Sequence, residues 1–457
     1  MKKQDATKMT LFALSWPIFI EVMLHMLMGN ADTLMLSQYS DDAVAAVGVS
    51  NQLLSVMIVM FGFITMGAGI LVAQYLGANN PTRASTIVMT SISINLWFSL
   101  LLSVLVYLFS ERLLALMDLP QELVGEASLY LSLVGGLIFV QALIMTIGTI
   151  LRSYGYTKDS MMVTIGMNIL NVIGNYFVIF GPFGFPVLGV KGVAFVTIGS
   201  RFIGLIALFL LLYRRSGRSL PFRSFFSYNG KDVKDLLHIG VPAAGEQVSY
   251  NASQITITYF VAQLGTVAIT TKVYAQNIMM FIFLSAVAIG QGTQILVGHL
   301  VGSRDLEGAY RRGFRSAGLS IAITVSIATI VYFASEPLLH IFTSNEEIVQ
   351  LGQILLLMTI VMEPGRATNL VLVNSLRATG DVRFPVVVGI ISMWGVSVLF
   401  AWFFGLYLNL GLPGIWIGLI ADEWVRGIVM AIRWKRKTWM KKAFVEEEEA
   451  TSVQSSL

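Results

Sequence analysis

Apolar residues run along this chain in stretches about as long as a bilayer is thick, separated by short polar loops. Twelve such runs fall near residues 14–38, 44–75, 87–109, 125–150, 160–180, 190–213, 236–262, 268–299, 315–334, 348–375, 385–407 and 413–432. About 20 mostly apolar residues let an α-helix cross the hydrocarbon core, so each run predicts one spanning helix. Two of them, 44–75 and 268–299, are long for a single crossing and are expected to tilt, bend or protrude. The pattern predicts an all-α polytopic membrane protein with twelve transmembrane helices.

The runs repeat. Shifting the sequence against itself by 225 residues lays Pro17 on Pro242, Glu21 on Glu246, Thr33 on Thr258 and Gln38 on Gln263. Gly67 then falls on Gly292, Ile70–Val72 on Ile295–Val297, and Gly77 on Gly302. The same offset returns at LRSYG (151–155) against LRATG (376–380), and GVKG (189–192) meets GLPG (411–414) after a three-residue deletion. Two six-span halves follow: an N-lobe over 1–213 and a C-lobe over 236–432, joined by a basic linker at 214–235 and followed by a tail at 433–457. Six is even, so both halves enter the membrane from one side, and the repeats are parallel about an axis along the membrane normal. Two facing bundles of this kind create a cleft and can rock to give alternating access.

Composition agrees with lipid as the solvent. Of 457 residues, 56% are hydrophobic and 12% charged, against roughly 25% charged in soluble domains; the mean hydropathy is +0.75. With the N-terminus inside, the inside segments hold 24 of the 30 Lys and Arg residues. The outer loops 118–126 and 336–347 are acidic. This is the positive-inside pattern, so both termini are expected to be cytoplasmic, in an inner or plasma membrane. It also accounts for the net charge of +4 without a nucleic-acid partner. The opening MKKQDATKMT is expected to be a cytoplasmic tail, because no small-residue cleavage site follows its basic start. There is no cysteine, which excludes disulfides and thiolate metal sites. H-E-x-x-H, G-x-S-x-G and P-loop motifs are absent, so no enzyme and no cofactor is expected, and the fuel should be an ion gradient.

One residue contradicts the solvent. Asp32, in GNADTLMLSQ (29–38), has no Lys or Arg within twenty residues on either side, and its repeat partner is Ile257. Ionisable residues inside membrane spans are costly and mark function. At about 1.5 Å per residue, Asp32 and Asn175 both lie roughly 26–27 Å from the cytoplasmic side. Asn171 is one turn below Asn175, and Thr197 reaches a comparable depth on the descending sixth span. One carboxylate, two amides and a hydroxyl could hold Na⁺ or prepare Asp32 for protonation; the Asn residues could equally be interhelical glue. In the second half Glu363 precedes Arg366, and Asp422 and Glu423 precede Arg426, at helical spacing. These form either a structural ion-pair network or a second cation or drug site. Glu21 and Glu246, repeated four residues after a proline, fit a structural or gating role at the cytoplasmic mouth.

The ordered set Pro17, Asp32, Thr33, GANN (77–80), LRSYG, NILNVIGNYFVIFG (168–181), GVKGVAFVT (189–197) and LRATG resembles the multidrug and toxic compound extrusion (MATE) transporters over nearly the whole chain. The resemblance implies two six-helix lobes in a V-shape that export bulky, often cationic compounds against inward Na⁺ or H⁺ flow. It implies that Asp32 is the principal coupling residue of the N-lobe, with Tyr130 matching a tyrosine of that site by spacing. There are departures. Relatives of the archaeal and DinF-type branch carry a second Asp where this chain has Asn175. The seventh-span Glu of NorM-type relatives is Tyr250 here, and their tenth-span Asp is Arg366. The expected activity is antiport of small, cationic, amphipathic compounds by a monomer in the bilayer. The rivals are a lipid-linked oligosaccharide flippase of the same superfamily and a passive channel or receptor.

Overall fold

The computed structural model describes residues 9–117, 119–216, 220–225 and 229–445. The expected cytoplasmic start before residue 9, part of the linker and the tail beyond 445 lie outside the described residues. Within them the chain is helical and contains no β-strand. In the first half the helices are α1 (Leu11–Ser37), α2 (Asp41–Gly77), α3 (Pro81–Ala115), α4 (Gln121–Tyr130), α5 (Phe139–Ser153), α6 (Thr157–Phe180) and α7 (Gly189–Arg215). The second half has α8 (Gly230–Gln263), α9 (Thr266–Gly302), α10 (Leu306–Phe333), the short α11 (Ser335–His340), α12 (Glu346–Ala378), α13 (Arg383–Ser392) and α14 (Gly411–Lys435).

Helix boundaries follow the 225-residue repeat. α2 and α9 start at 41 and 266 and end at 77 and 302; α3 and α10 start at 81 and 306. The GANN motif explains part of this register. Asn79 takes a left-handed φ of 58°, which Asn tolerates better than most residues, and Asn80 caps α3 by accepting the Arg83 N–H at 3.0 Å. At the shifted positions Arg304 has φ 63°, and Asp305 caps α10 by accepting the Gly308 N–H at 2.8 Å. The glycines ending LRSYG and LRATG, Gly155 and Gly380, both have positive φ, as do Gly189 and Gly411 across the deletion.

Among the described residues, nine helices are long and apolar enough to cross a membrane, one of them α13 continued through π-helical turns to Tyr407. Gln121–Gly135 and Phe139–Ser153, which meet at a 44° bend after a π-helical turn at Leu131–Gly135, pass the same test together and make a tenth when the bent pair is taken as one span. α8 and α14 fall short on composition, because GEQVSYNASQ and ADEWVRG dilute their apolar character. With these two, the helices amount to the twelve of the expected fold.

The described residues divide into two compact units: Ile20–Leu76 with Asn80–Gly240, and 9–19 with Gly77–Asn79 and 241–445. The start of α8 therefore packs in the first unit, where Asp232 pairs with Arg83 at 2.6 Å and a Cβ on Gly67 would lie 3.0 Å from the Leu236 carbonyl. The core of the first unit gathers Leu54, Phe61, Val106, Tyr130 and Val193. In the second, α12 packs against α9, α10 and α14.

Candidate functional site

In the first unit α6 and α7 approach closely because they meet through glycines. A Cβ on Gly174 would lie 2.6 Å from a Val196 methyl, and one on Gly192 would lie 2.6 Å from the Val178 Cβ. This proximity gives GVKGVAFVT a physical meaning: it lets Thr197 reach α6. Asn171 Nδ2 donates to Thr197 Oγ1 at 3.4 Å, and Asn175 Nδ2 donates to Asn171 Oδ1 at 3.2 Å. Asn175 Nδ2 also donates to Asp32 Oδ1 at 2.7 Å. Asn171, Asn175 and Thr197 are buried, while Asp32 is partly exposed.

The Tyr130 hydroxyl comes from α4 into the same cluster. It donates to Asn51 Oδ1 at 3.4 Å and lies within hydrogen-bonding reach of Thr197. The five residues that the sequence singled out for the N-lobe cation site, Asp32, Tyr130, Asn171, Asn175 and Thr197, are thus brought together. Two further groups belong to them. Asn51 comes from α2. Arg201 on α7 lies in electrostatic range of both Asp32 and Tyr130 without a direct ion pair to Asp32, and its buried Nε has no hydrogen-bond partner. The available clue to Arg201 was its position one helical turn after Thr197, on the same face. Asn175 Oδ1 is likewise buried without a donor, so an acceptor oxygen stands open beside the carboxylate.

The second unit also joins its charged residues. Arg366 reaches Glu363 at 2.9 Å and Glu423 at 3.5 Å; Arg426 reaches Asp422 at 2.6 Å and Glu423 at 3.5 Å. Asn369 donates to Glu423 at 3.0 Å and Ser392 to Asp422 at 2.6 Å. Glu363 and Asp422 are buried. Three carboxylates share two guanidiniums, so the cluster that ties α12 to α14 keeps one negative charge in excess when all its groups are ionised.

Glu21 and Glu246 each find a partner in their own unit. Arg152 of LRSYG donates to Glu21 at 2.6 Å, and Arg377 of LRATG donates to Glu246 at 2.5 Å. Both members of the pair obey the 225-residue shift. Among the described residues, no group of three or more acidic or imidazole side chains could hold a metal ion.

A repeated, all-helical membrane fold with buried polar clusters in each unit is the architecture of a membrane transporter. The MatE family model matches residues 17–177 and 242–403, once in each half, and the chain belongs to that family. It is similar to the uncharacterized transporter YisQ of Bacillus subtilis (strain 168), with 50% identity over 442 residues, covering 97% of each chain. It is 29% identical over 443 residues to the probable multidrug resistance protein NorM of Thermotoga maritima, covering 96% of this chain and 94% of that one. Among solved structures, a multidrug resistance MATE family transporter in an outward-facing conformation superposes with a TM-score of 0.86 at 20% identity, over 95% of this chain and 96% of that one.

Proposed function

We propose that this transporter is a secondary active antiporter of the cell membrane, with both termini cytoplasmic, working as a monomer. It exports bulky, cationic, amphipathic organic compounds in exchange for H⁺ or Na⁺ moving inward. The observation that carries this reading is the hydrogen bond from Asn175 to Asp32, which ties the Asp32 carboxylate of α1 to the α6–α7 pair. Neutralising the carboxylate with an incoming ion changes what Asn175 must satisfy, and so couples ion occupancy to the packing of three helices.

Either ion has suitable chemistry here. A protonated Asp32 can donate to a neighbouring amide oxygen after an amide flip of Asn175. Alternatively, the Asp32 carboxylate, the open Asn175 oxygen and the nearby hydroxyls supply hard oxygens for Na⁺. Arg201 opposes a cation at Asp32 and attracts the bare carboxylate, so it favours the step in which the ion leaves and Asp32 is left ionised. The Glu363–Arg366–Glu423–Arg426–Asp422 cluster is read as an ion-pair network holding α12 on α14, and the Glu21 and Glu246 pairs as fasteners of the cytoplasmic ends of their bundles. Rocking of the two halves would supply alternating access.

The test is transport of a cationic dye in proteoliposomes, with pH and Na⁺ gradients imposed separately. Asp32→Asn is expected to insert normally and lose exchange, whereas Glu363→Gln is expected to exchange if it folds. Unchanged efflux by Asp32→Asn refutes the mechanism. Rescue of a cell-wall precursor defect with no dye transport would replace it with the lipid-linked oligosaccharide flippase, and ion flux without exchange would replace it with a channel.

A further inference from the structure

The exposed side of α10 changes character along one stripe. Arg311, Arg315, Leu319, Ile323 and Ile327 follow one another at four-residue intervals, which makes each the neighbour of the next in a ridge that winds slowly around the helix. Leu319, Ile323 and Ile327 join Trp16 of α1 and Ala288 and Ile289 of α9 in lining an apolar groove of about 300 Å³. Directly along the same helices, Arg311, Arg312 and Arg315 join Met9, His299 and Asp305 in lining a polar cavity of about 310 Å³. Both spaces belong to the second unit, and the same three stretches of chain wall them.

The three arginines have no carboxylate partner within ion-pair distance among the described residues, unlike Arg366, Arg377, Arg426 and Arg433 of the same unit. Asp305, the acid in the cavity, spends an oxygen on capping α10. Twelve residues separate Arg315 from Ile327, so the apolar part of the stripe extends about 18 Å from the charges, more than half of a hydrocarbon core of about 30 Å. Trp16 is 51% exposed and Phe12 76% exposed on the groove wall, leaving their rings available to hydrocarbon. A free anion would satisfy the arginines and leave the groove empty; a neutral lipid would do the reverse. One molecule with a negative head and an apolar tail complements both.

We propose that an anionic phospholipid occupies this place, with its phosphate against Arg311, Arg312 and Arg315 and one acyl chain along Trp16, Leu319, Ile323 and Ile327. Guanidinium forks match phosphate oxygens in geometry and charge, and basic pockets between spanning helices are suited to such headgroups. This site is separate from Asp32 and its partners and stands whether or not the antiport reading holds.

The test is native mass spectrometry of the full chain in detergent micelles, with phosphatidylglycerol and phosphatidylcholine of identical acyl chains in competition. The wild type is expected to retain phosphatidylglycerol preferentially. Each arginine neutralised should lower that preference about fivefold, so Arg315→Gln gives a measurable drop, and the triple change Arg311→Gln, Arg312→Gln, Arg315→Gln should abolish it. Arg315→Lys should keep most of it. Ile323→Trp, which fills the groove, should reduce retention of both lipids. Size-exclusion profiles confirm that each variant is folded; the single Gln variant carries the test if the triple one is not. An unchanged lipid ratio in Arg315→Gln overturns the proposal. So does displacement of bound phosphatidylglycerol by millimolar inorganic phosphate, which would assign the arginines to a soluble anion.

Discussion

Replacing Arg152 with Met should destabilise the first unit through the charge it leaves behind. Glu21 is 6% exposed, its Oε1 accepts from Arg152 at 2.6 Å and from Ser160 Oγ at 3.2 Å, and its Oε2 has no partner. Without the guanidinium, one hydroxyl remains to serve a carboxylate held among apolar helices. Breaking a buried pair from one side costs about 3–5 kcal/mol, because the surviving ion has lost its compensation. For a folding unit of this size about 1 kcal/mol shifts the melting temperature by roughly 2–4 °C, so Arg152→Met should melt roughly 6–20 °C lower. The decisive comparison is the double variant Glu21→Gln with Arg152→Met, in which neither charge is left. It should recover most of the loss, and the symmetric pair Glu246→Gln with Arg377→Met should behave the same way in the second unit. The assay is thermal unfolding in one detergent, followed by aggregation or tryptophan fluorescence. A single variant melting within about 2 °C of wild type, or a double variant as unstable as the single, refutes the reasoning.

Three other outcomes are expected. Asn175→Leu removes the donor to Asp32, a hydrogen bond to a charged group worth about 1.5–3 kcal/mol, and should weaken dye-for-ion exchange about ten- to a hundredfold; exchange at the wild-type rate would count against Asn175 as a coupling partner. Gly192→Val drives side-chain atoms into Val178 and should cost about 1–3 kcal/mol by overpacking, seen as a lower melting temperature together with reduced transport; a fully stable, active variant would mean that α6 and α7 need not approach. Asn80→Ala removes the cap of α3 at a typical cost of about 1 kcal/mol, detectable as faster hydrogen exchange in the first turn of α3, and unaltered exchange there would contradict the capping role.

Much of this protein is legible in its one-dimensional pattern because lipid leaves a chain few choices. A spanning segment must satisfy its own backbone, so apolar runs of sufficient length become helices, and a 225-residue echo in the sequence becomes an echo in helix boundaries, caps and left-handed turn residues. Asp32 stands out for the same reason, since an ionisable side chain in such a run is conspicuous without any coordinates. Asn171, Asn175 and Thr197 follow from depth and helical spacing, both of which are local properties. Even the charged cluster of the second unit announces itself through acids and bases three or four residues apart.

What tertiary structure decided is which distant residues meet. Glu21 and Arg152 are 131 positions apart, and the spacing of either says nothing of the other. Arg201 sits on a helix remote in sequence from Asp32, and its charge reaches the carboxylate only through the packing of whole helices, of which the close approach of α6 and α7 at Gly174 and Gly192 is a part. α8 enters the first unit through the Asp232–Arg83 pair and the Gly67–Leu236 contact, and the pairing of a basic cavity with an apolar groove brings the start of the chain onto two helices of its second half. Periodicity records the solvent each residue faces. Partner choice depends on how whole helices cross, and that is set by packing summed over many residues at once.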